Sequence, residues 1–413
     1  MQQGAGMVAG RWAVNSRRRQ AGVALLALLT LLTLWGLYLF LGQLNATQFK
    51  LAREQSAAEA MAEAKAALIG DAIARSPVSE AGYLRLPDLG ATEGQSSGTF
   101  SGDGIGLSAI GKFPWKTLAV PAARDAQGEC LWYVVAGHVK NDPWKTNVGR
   151  AALNWDTQGQ IEVITGSGEV VATNVAALLV SPGRALEGQN RALADEAYTE
   201  CGGNYDARNY LDAFDTADAI EGNVNYFPGS TNSRVAPNTG NKTFVTANND
   251  HYNDRFLYIT VDDIFNPLIR RSDFAAAIGN LLDSPAFKTH LQSIVVAGNK
   301  GTDNINCASA PDLSFCRNWK EMLFLTERSV AEPISVNGPS NSTSCSRVLI
   351  FAGRKATGQS RSTALEKTNR DNYLEGVNAS SFSVPTAVPP NNFSGATVFD
   401  WRTPNADLVR CLP

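Results

Sequence analysis

A charge-free stretch near the start constrains this chain more than any other feature. From Gln20 to Phe49 no residue carries a charge. Within it, residues 23–41 read VALLALLTLLTLWGLYLFL, whose only polar side chains are Thr30, Thr33 and Tyr38. About 20 such residues, at ~1.5 Å rise each, cross a hydrocarbon core of ~30 Å. Arg11, Arg17, Arg18 and Arg19 precede the run, and no acidic residue occurs before Glu54. That asymmetry predicts a single-pass anchor, with the N-terminus cytoplasmic and the bulk of the chain on the far side. A removed secretory signal is a competing reading, but its apolar core should be only roughly 7–15 residues. Leu44, Asn45 and Ala46 also make a poor cleavage site. A buried helix of a soluble domain is the third reading.

The rest of the composition is that of a folded chain. Hydrophobic residues make up 44% of the 413 residues, enough for a core. A mainly disordered chain would be less apolar and more charged. Lys and Arg number 36 against 39 Asp and Glu, a net charge of −3. That balance excludes nucleic acid as the main partner, since phosphate binding requires a basic surface. The length suits about two or three domains.

Behind the apolar run, residues 43–75 are rich in Ala, Glu, Lys and Gln and contain no proline. These are strong helix formers. Phe49, Ala57, Met61, Ala64, Leu68 and Ala72 recur at helical spacing and form one apolar stripe. One continuous helix over residues 23–75 would be ~80 Å long; a kink near Gly42 would give two helices instead. The second half needs a globular domain to cover its stripe.

The run RRRQAG (17–22) followed by VALLA (23–27) resembles the N-terminus of type IV prepilins and type II secretion pseudopilins. The resemblance covers roughly residues 17–76. It implies cleavage between Gly22 and Val23 by a prepilin peptidase, methylation of the new N-terminus, and packing of the helix against other pilins or pseudopilins. It also implies an inner-membrane location with a periplasmic or extracellular head. One position departs: most of the family carries Glu five residues into the mature chain, where this sequence has Ala27. Members lacking it resemble minor, tip-located subunits with large heads.

The large remainder reads as α+β: a mainly antiparallel, disulfide-bonded head behind the long helix. Strand patterns occur at 129–136, 161–165, 175–180, 256–261, 322–326 and 347–351. They come in runs rather than alternating with helices. Asp262 is expected to open a helix as its N-cap, and residues 272–293 carry helical spacing through Phe274, Ile278, Leu281 and Leu282. The Gly/Ser-rich residues 88–112 read as loop. The expected organisation is a leader (1–22), the long helix (23–76), a linker (77–112) and two head modules (113–265 and 266–413).

An internal echo supports two modules. LLVSPGRALEGQNR (178–191) matches VLIFAGRKATGQSR (348–361), and each is followed by NYL and an acid, at 209–212 and 372–375. The arrangement, like FPWKTL at 113–118, also resembles features of pilin-like proteins. Gly353 and Gly358 have the glycine spacing of a phosphate-binding P-loop, but Gln359 stands where that loop needs Lys. Tight turns with positive φ, and arginines paired with Asp212 and Glu375, are the expected use.

No residues point to catalysis, a cofactor or a metal. Cys130, Cys201, Cys307, Cys316, Cys345 and Cys411 all follow the apolar run and read as disulfides in an oxidising compartment. Six cysteines allow fifteen connectivities; Cys307–Cys316 is a plausible loop staple, and Cys411 has Cys345 as a candidate partner. His138, His251 and His290 are the only histidines, and no two are spaced as helical metal ligands. The polar cluster at 249–254 reads as a turn, with calcium binding as the alternative. Trp115, Trp132, Trp144 and Trp155 are candidate contacts for a glycan or peptide, weighed against a place in the core. The sequence therefore favours a non-enzymatic pilin-like structural subunit. The alternative is an uncleaved, single-pass periplasmic ligand-binding protein or enzyme.

Overall fold

The computed structural model describes residues 17–97, 108–141, 151–187, 189–191, 200–212, 226–227, 242–247, 252–294, 305–327, 334–337, 345–383 and 392–413. The chain divides into two compact units, residues 1–56 and 57–413. Helix α1 (Arg17–Ala74) is one unbroken 58-residue element running through Gly42.

In the first unit, α1 is apolar and uncovered. Val23–Phe40 is long and apolar enough to cross a membrane, and none of it is buried. Thr30 and Thr33 donate their hydroxyls to the carbonyls of Ala27 and Thr30, both at 2.9 Å. Such back-bonding satisfies a hydroxyl where water is absent. Phe49, expected in the buried stripe, is 69% exposed.

In the second unit the stripe begins at Ala57. Ala57, Met61, Ala64, Leu68 and Ala72 are all buried, spaced three and four apart. Asp71 on the same helix receives Arg75 at 2.5 Å and Arg85 at 2.9 Å through two atoms. Burial alone would raise its pKa, but these two guanidiniums outweigh burial and hold it below the usual carboxylate range.

The expected linker is largely core. Ala81, Tyr83, Leu84 and Leu86 are buried, and β1 (Ser108–Lys112) is buried along its whole length. Asp88 and Lys112 exchange main-chain hydrogen bonds, 2.9 and 3.0 Å. Gly111 permits this close approach, because a Cβ there would lie 2.4 Å from the Asp88 carbonyl oxygen. Short apolar pieces separated by Gly and Ser hid the strand from a reading by composition.

The main sheet continues through β2 (Trp132–Val135), β3 (Ile161–Thr165), β4 (Val170–Ser181), β5 (Tyr226–Phe227), β6 (Lys242–Thr246) and β7 (Arg255–Thr260). Its order is β5-β1-β2-β4-β3-β6, with β7 also paired to β4. Every pairing is antiparallel except β3 with β6. Residues 175–181 of β4 are buried and lie between β2 and β7, which explains their unbroken apolar run. A second sheet holds β8 (Leu323–Glu327), β10 (Arg347–Phe351) and β12 (Leu408–Leu412) in the antiparallel order β12-β10-β8. Two-residue strands β9 (Ser335–Val336) and β11 (Asn392–Phe393) pair in parallel.

Helix α2 (Val261–Leu268) runs across residues 265 and 266, where the boundary between head modules was expected. Its N-cap is Thr260, two residues before the expected Asp262. The Thr260 hydroxyl accepts from the Asp263 amide at 3.1 Å, and Asp263 accepts from the Thr260 amide at 2.9 Å, a capping box. The helical spacing over 272–293 is divided into α3 (Ser272–Asp283) and α4 (Pro285–Ser293). Ser284 caps α4, and Pro285 takes the first helical position, where its missing N–H costs nothing. Helices α5 (Leu313–Trp319), α6 (Ala364–Thr368) and α7 (Gly376–Ser383) follow.

An aromatic cluster joins segments far apart in sequence. The Trp155 ring lies 4.6 Å from Trp319, 6.3 Å from Phe274, 6.1 Å from Phe351 and 6.1 Å from Phe399. Tilted, edge-on and stacked pairs of this kind add ~0.5–1.5 kcal/mol each beyond area burial. Three disulfides close the outer loops: Cys130–Cys201, Cys307–Cys316 and Cys345–Cys411, with Cα separations of 5.5, 5.6 and 5.4 Å.

Candidate functional site

The sequence echo is a structural one. In each copy three antiparallel strands lie side by side, β2-β4-β7 and β8-β10-β12. The middle strand ends at a Gly-Arg turn, and a later arginine closes the loop. In the first copy Arg191 donates to the carbonyls of Gly183 (2.7 Å) and Asn209 (3.0 Å) and to the Gln189 side chain (2.9 Å). In the second, Arg361 donates to Gly353 (3.0 Å), Asn372 (2.5 Å) and Gln359 (3.3 Å). The guanidiniums stack on Tyr210 and Tyr373, 5.1 and 4.2 Å from the ring centres. Gln189 and Gln359 each accept from an amide three residues back, and Asn209 and Asn372 from the amides of Asn190 and Ser360. The repeated side chains thus form one device, an arginine clamp fed by backbone carbonyls.

The glycines serve the turn, not a phosphate. Gly183 and Gly358 have φ of 61° and 92°. Gly353 is needed for a different reason: a Cβ there would sit 2.3 Å from the Asn405 carbonyl carbon. Gly188 lies outside the described residues. The expected ion pairs with Asp212 and Glu375 do not form. Arg191 instead approaches Glu129 at 3.7 Å, and Arg361 meets Asp156 at 2.8 Å. The clamp carbonyls fix each guanidinium facing its own turn, and Asp212 faces the segment before β7. Asp212 accepts from the amides of Asn253 (2.6 Å) and Asp254 (3.0 Å) and from Gln189 (2.9 Å).

Glu375 has a different environment. Burial first, and then the neighbouring Asp407 charge, push its carboxyl up to about 7. Asp407 is raised to about 6 by burial, opposed by bonds from Asn378 and from the Gly353 amide.

A cleft of about 570 Å³ opens beside the Arg361–Asp156 pair. Its walls come from the turn after β2 (His138), the loop before β3 (Asn154, Thr157, Gln158), the end of α5 (Asn318, Lys320, Glu321) and the start of α6 (Ser362, Thr363, Lys367). Asn154 donates its amide to the Asn318 carbonyl (2.9 Å) and to Glu321 (2.6 Å). Lys367 donates to both Glu321 oxygens, 3.3 and 3.0 Å. The His138 Nδ1 lies 3.3 Å from the Gln158 carbonyl. Burial, and to a lesser degree Lys367, lower the His138 pKa, so the ring is neutral at pH 7.

Gly22 and Val23 lie in α1, where the Val23 side chain is exposed. All six cysteines are paired. Trp132 and Trp155 are core residues, and Trp115 packs partly buried against the core. Trp144 and His251, with residues 249 and 250 of the polar cluster, lie outside the described residues. Asn253 and Asp254 form the turn before β7, bonded to Asp212. His290 accepts from the Asn306 amide at 3.1 Å. Among the described residues no group of three or more His, Cys, Asp or Glu is placed to hold a metal ion. The cleft was not legible in the sequence, because its polar residues are scattered from 138 to 367 and share no motif. No protein-family model, curated protein or solved structure matches this chain.

Proposed function

We propose that this chain is a membrane-anchored, pilin-like structural subunit: a minor or tip pilin or pseudopilin of a type IV pilus or type II secretion apparatus. The observation that carries this reading is the Val23–Phe40 segment of α1, wholly uncovered, apolar, and placed directly after RRRQAG. Each Å² of that surface left in water forgoes about 25 cal/mol. The helix therefore calls for lipid or other apolar helices as its surroundings. The arginines before it favour a cytoplasmic N-terminus, an outward head and an inner-membrane site. Three disulfides fit an oxidising compartment.

The departure at Ala27 bears on position. In the family's arrangement a glutamate there neutralises the amine of a neighbouring subunit. With Ala27, a shaft position would leave a charge unpaired in apolar surroundings, at a cost on the order of several kcal/mol. Tip placement avoids that cost. The reading is tested with Gly22→Leu, coexpressed with the matching prepilin peptidase. The variant should stay at full mass while the wild type is shortened; equal shortening of both would contradict the reading. The cleft at Lys320 and Lys367 favours a second reading, an uncleaved periplasmic ligand-binding protein, in which both chains keep residue 1.

A further inference from the structure

The cleft between the end of α5 and the start of α6 belongs to no part of the anchoring device. We propose that it binds a small hydroxylated carboxylate of the acidic-sugar kind. Four observations carry the assignment.

The first is charge. Among the described residues, Lys320, Lys367 and Arg317, which has a partner of its own, line the cleft with one carboxylate, Glu321. Both Glu321 oxygens already accept from Lys367, and one also accepts from Asn154. Lys320 has no carboxylate partner among the described residues. With Lys367 matched to Glu321, Lys320 leaves excess positive charge in the cleft, and an anion balances it.

The second is the chemistry of the walls. Thr157, Gln158, Ser362 and Thr363 bring hydroxyl and amide groups, Thr157 and Thr363 also accepting from main-chain amides and Gln158 donating to the Asp156 carbonyl, and the apolar lining among the described residues is Ala151, Ala152 and Ala364. Among the described lining residues an apolar ligand would find no aromatic or large aliphatic side chain to cover it. A ligand bearing several hydroxyls finds donors and acceptors on both sides. His138 adds a neutral ring, with Nδ1 turned to the Gln158 carbonyl and Nε2 left as its second hydrogen-bonding atom.

The third is size. About 570 Å³ falls within the usual range for small-molecule sites, roughly 300–1,000 Å³. The fourth is rigidity. Thr157 follows Asp156 and Ser362 follows Arg361, so a buried ion pair of 2.8 Å ties the two opposite walls together at their bases. Asn318 is held from three sides, by the Tyr83 hydroxyl (2.9 Å), the Leu153 amide (3.3 Å) and the Ser79 carbonyl (3.2 Å). Walls fixed in this way lose little freedom when a ligand binds.

Either use of the N-terminal helix is compatible with this site, so its test does not depend on filament assembly. Full-length protein in detergent is titrated calorimetrically with galacturonate, galactose and citrate. Galacturonate should bind, with galactose at least about tenfold weaker. Lys320→Glu should weaken galacturonate by at least about tenfold, and so should Ala364→Trp, which fills the cleft from an exposed position. Tm is measured on each variant; if Lys320→Glu lowers it, Ala364→Trp alone decides. Citrate binding as tightly as galacturonate would keep the hydroxylated carboxylate and assign an aliphatic hydroxy acid in place of a sugar. Failure of both anions to bind at about 10 mM, or undiminished binding by a stable Ala364→Trp, would overturn the proposal.

Discussion

The two arginine clamps share nearly every local hydrogen bond and differ in what lies beyond them. Arg191 approaches Glu129 at 3.7 Å, and that glutamate side chain is 31% exposed. Arg361 meets Asp156 at 2.8 Å with 0% and 2% exposure, across 205 residues of sequence. The first clamp closes its own loop. The second closes the same loop and also joins the segment before β3 to the second sheet. One sequence motif therefore supplies a turn in one place and a long-range tie in the other, and the difference lies in the partner carboxylate.

Removing the arginine should expose that difference most strongly. Arg361→Ala leaves Asp156 buried without its counter-charge, and breaking a buried pair costs ~3–5 kcal/mol. Arg191→Ala loses its carbonyl bonds but strands no buried carboxylate, so ~1–2 kcal/mol is expected. Urea denaturation of the two variants checks both values, and equal losses would break the comparison. A double-mutant cycle sharpens it. Arg361 and Asp156 should couple by ~2–3 kcal/mol, whereas Arg191 and Glu129 should couple by less than ~0.5 kcal/mol.

A smaller effect separates the acids after the NYL sequences. Burial raises Asp212 too, opposed by three hydrogen bonds, whereas Glu375 is raised to about 7 by burial and by Asp407. A folded-state value above the unfolded one means that the folded chain holds the extra proton between about pH 4.5 and 7. Glu375 therefore favours folding at the acid end of that window, and the benefit is lost as pH rises through 7. Glu375→Gln should remove that slope and stabilise the protein at pH 8 by ~1 kcal/mol, once screening of a half-exposed group is allowed for. Tm against pH for wild type and variant reads it directly. A slope unchanged in the variant would place the titration elsewhere. The smallest expected change is in Glu129→Gln, less than ~0.5 kcal/mol by the same denaturation assay.

Local signals were readable and long-range ones were not. Residues 161–165 and 347–351 alternate or run apolar strongly enough to mark their strands to the residue. The helical stripe from Ala57 to Ala72 was equally plain. Phe49 has the right spacing but no sheet or loop to cover it, which periodicity alone does not reveal. Residues 108–112 were hidden because Gly111 is there for backbone contact and contributes nothing to a hydropathy pattern. The clamp was visible as a repeated string, yet its counter-ions were misassigned, because Glu129 and Asp156 come from chain distant in sequence or set apart by a turn. The cleft is the extreme case: four separate segments supply it, and each of its residues looks like ordinary surface.

The exposed apolar helix and its basic leader are the features on which the proposed function depends. The most direct measurement is mass spectrometry of the N-terminal peptide from native membranes. The account predicts a chain that begins at methylated Val23. A chain still carrying Met1 would contradict it and leave a plain anchor bearing a ligand-binding head.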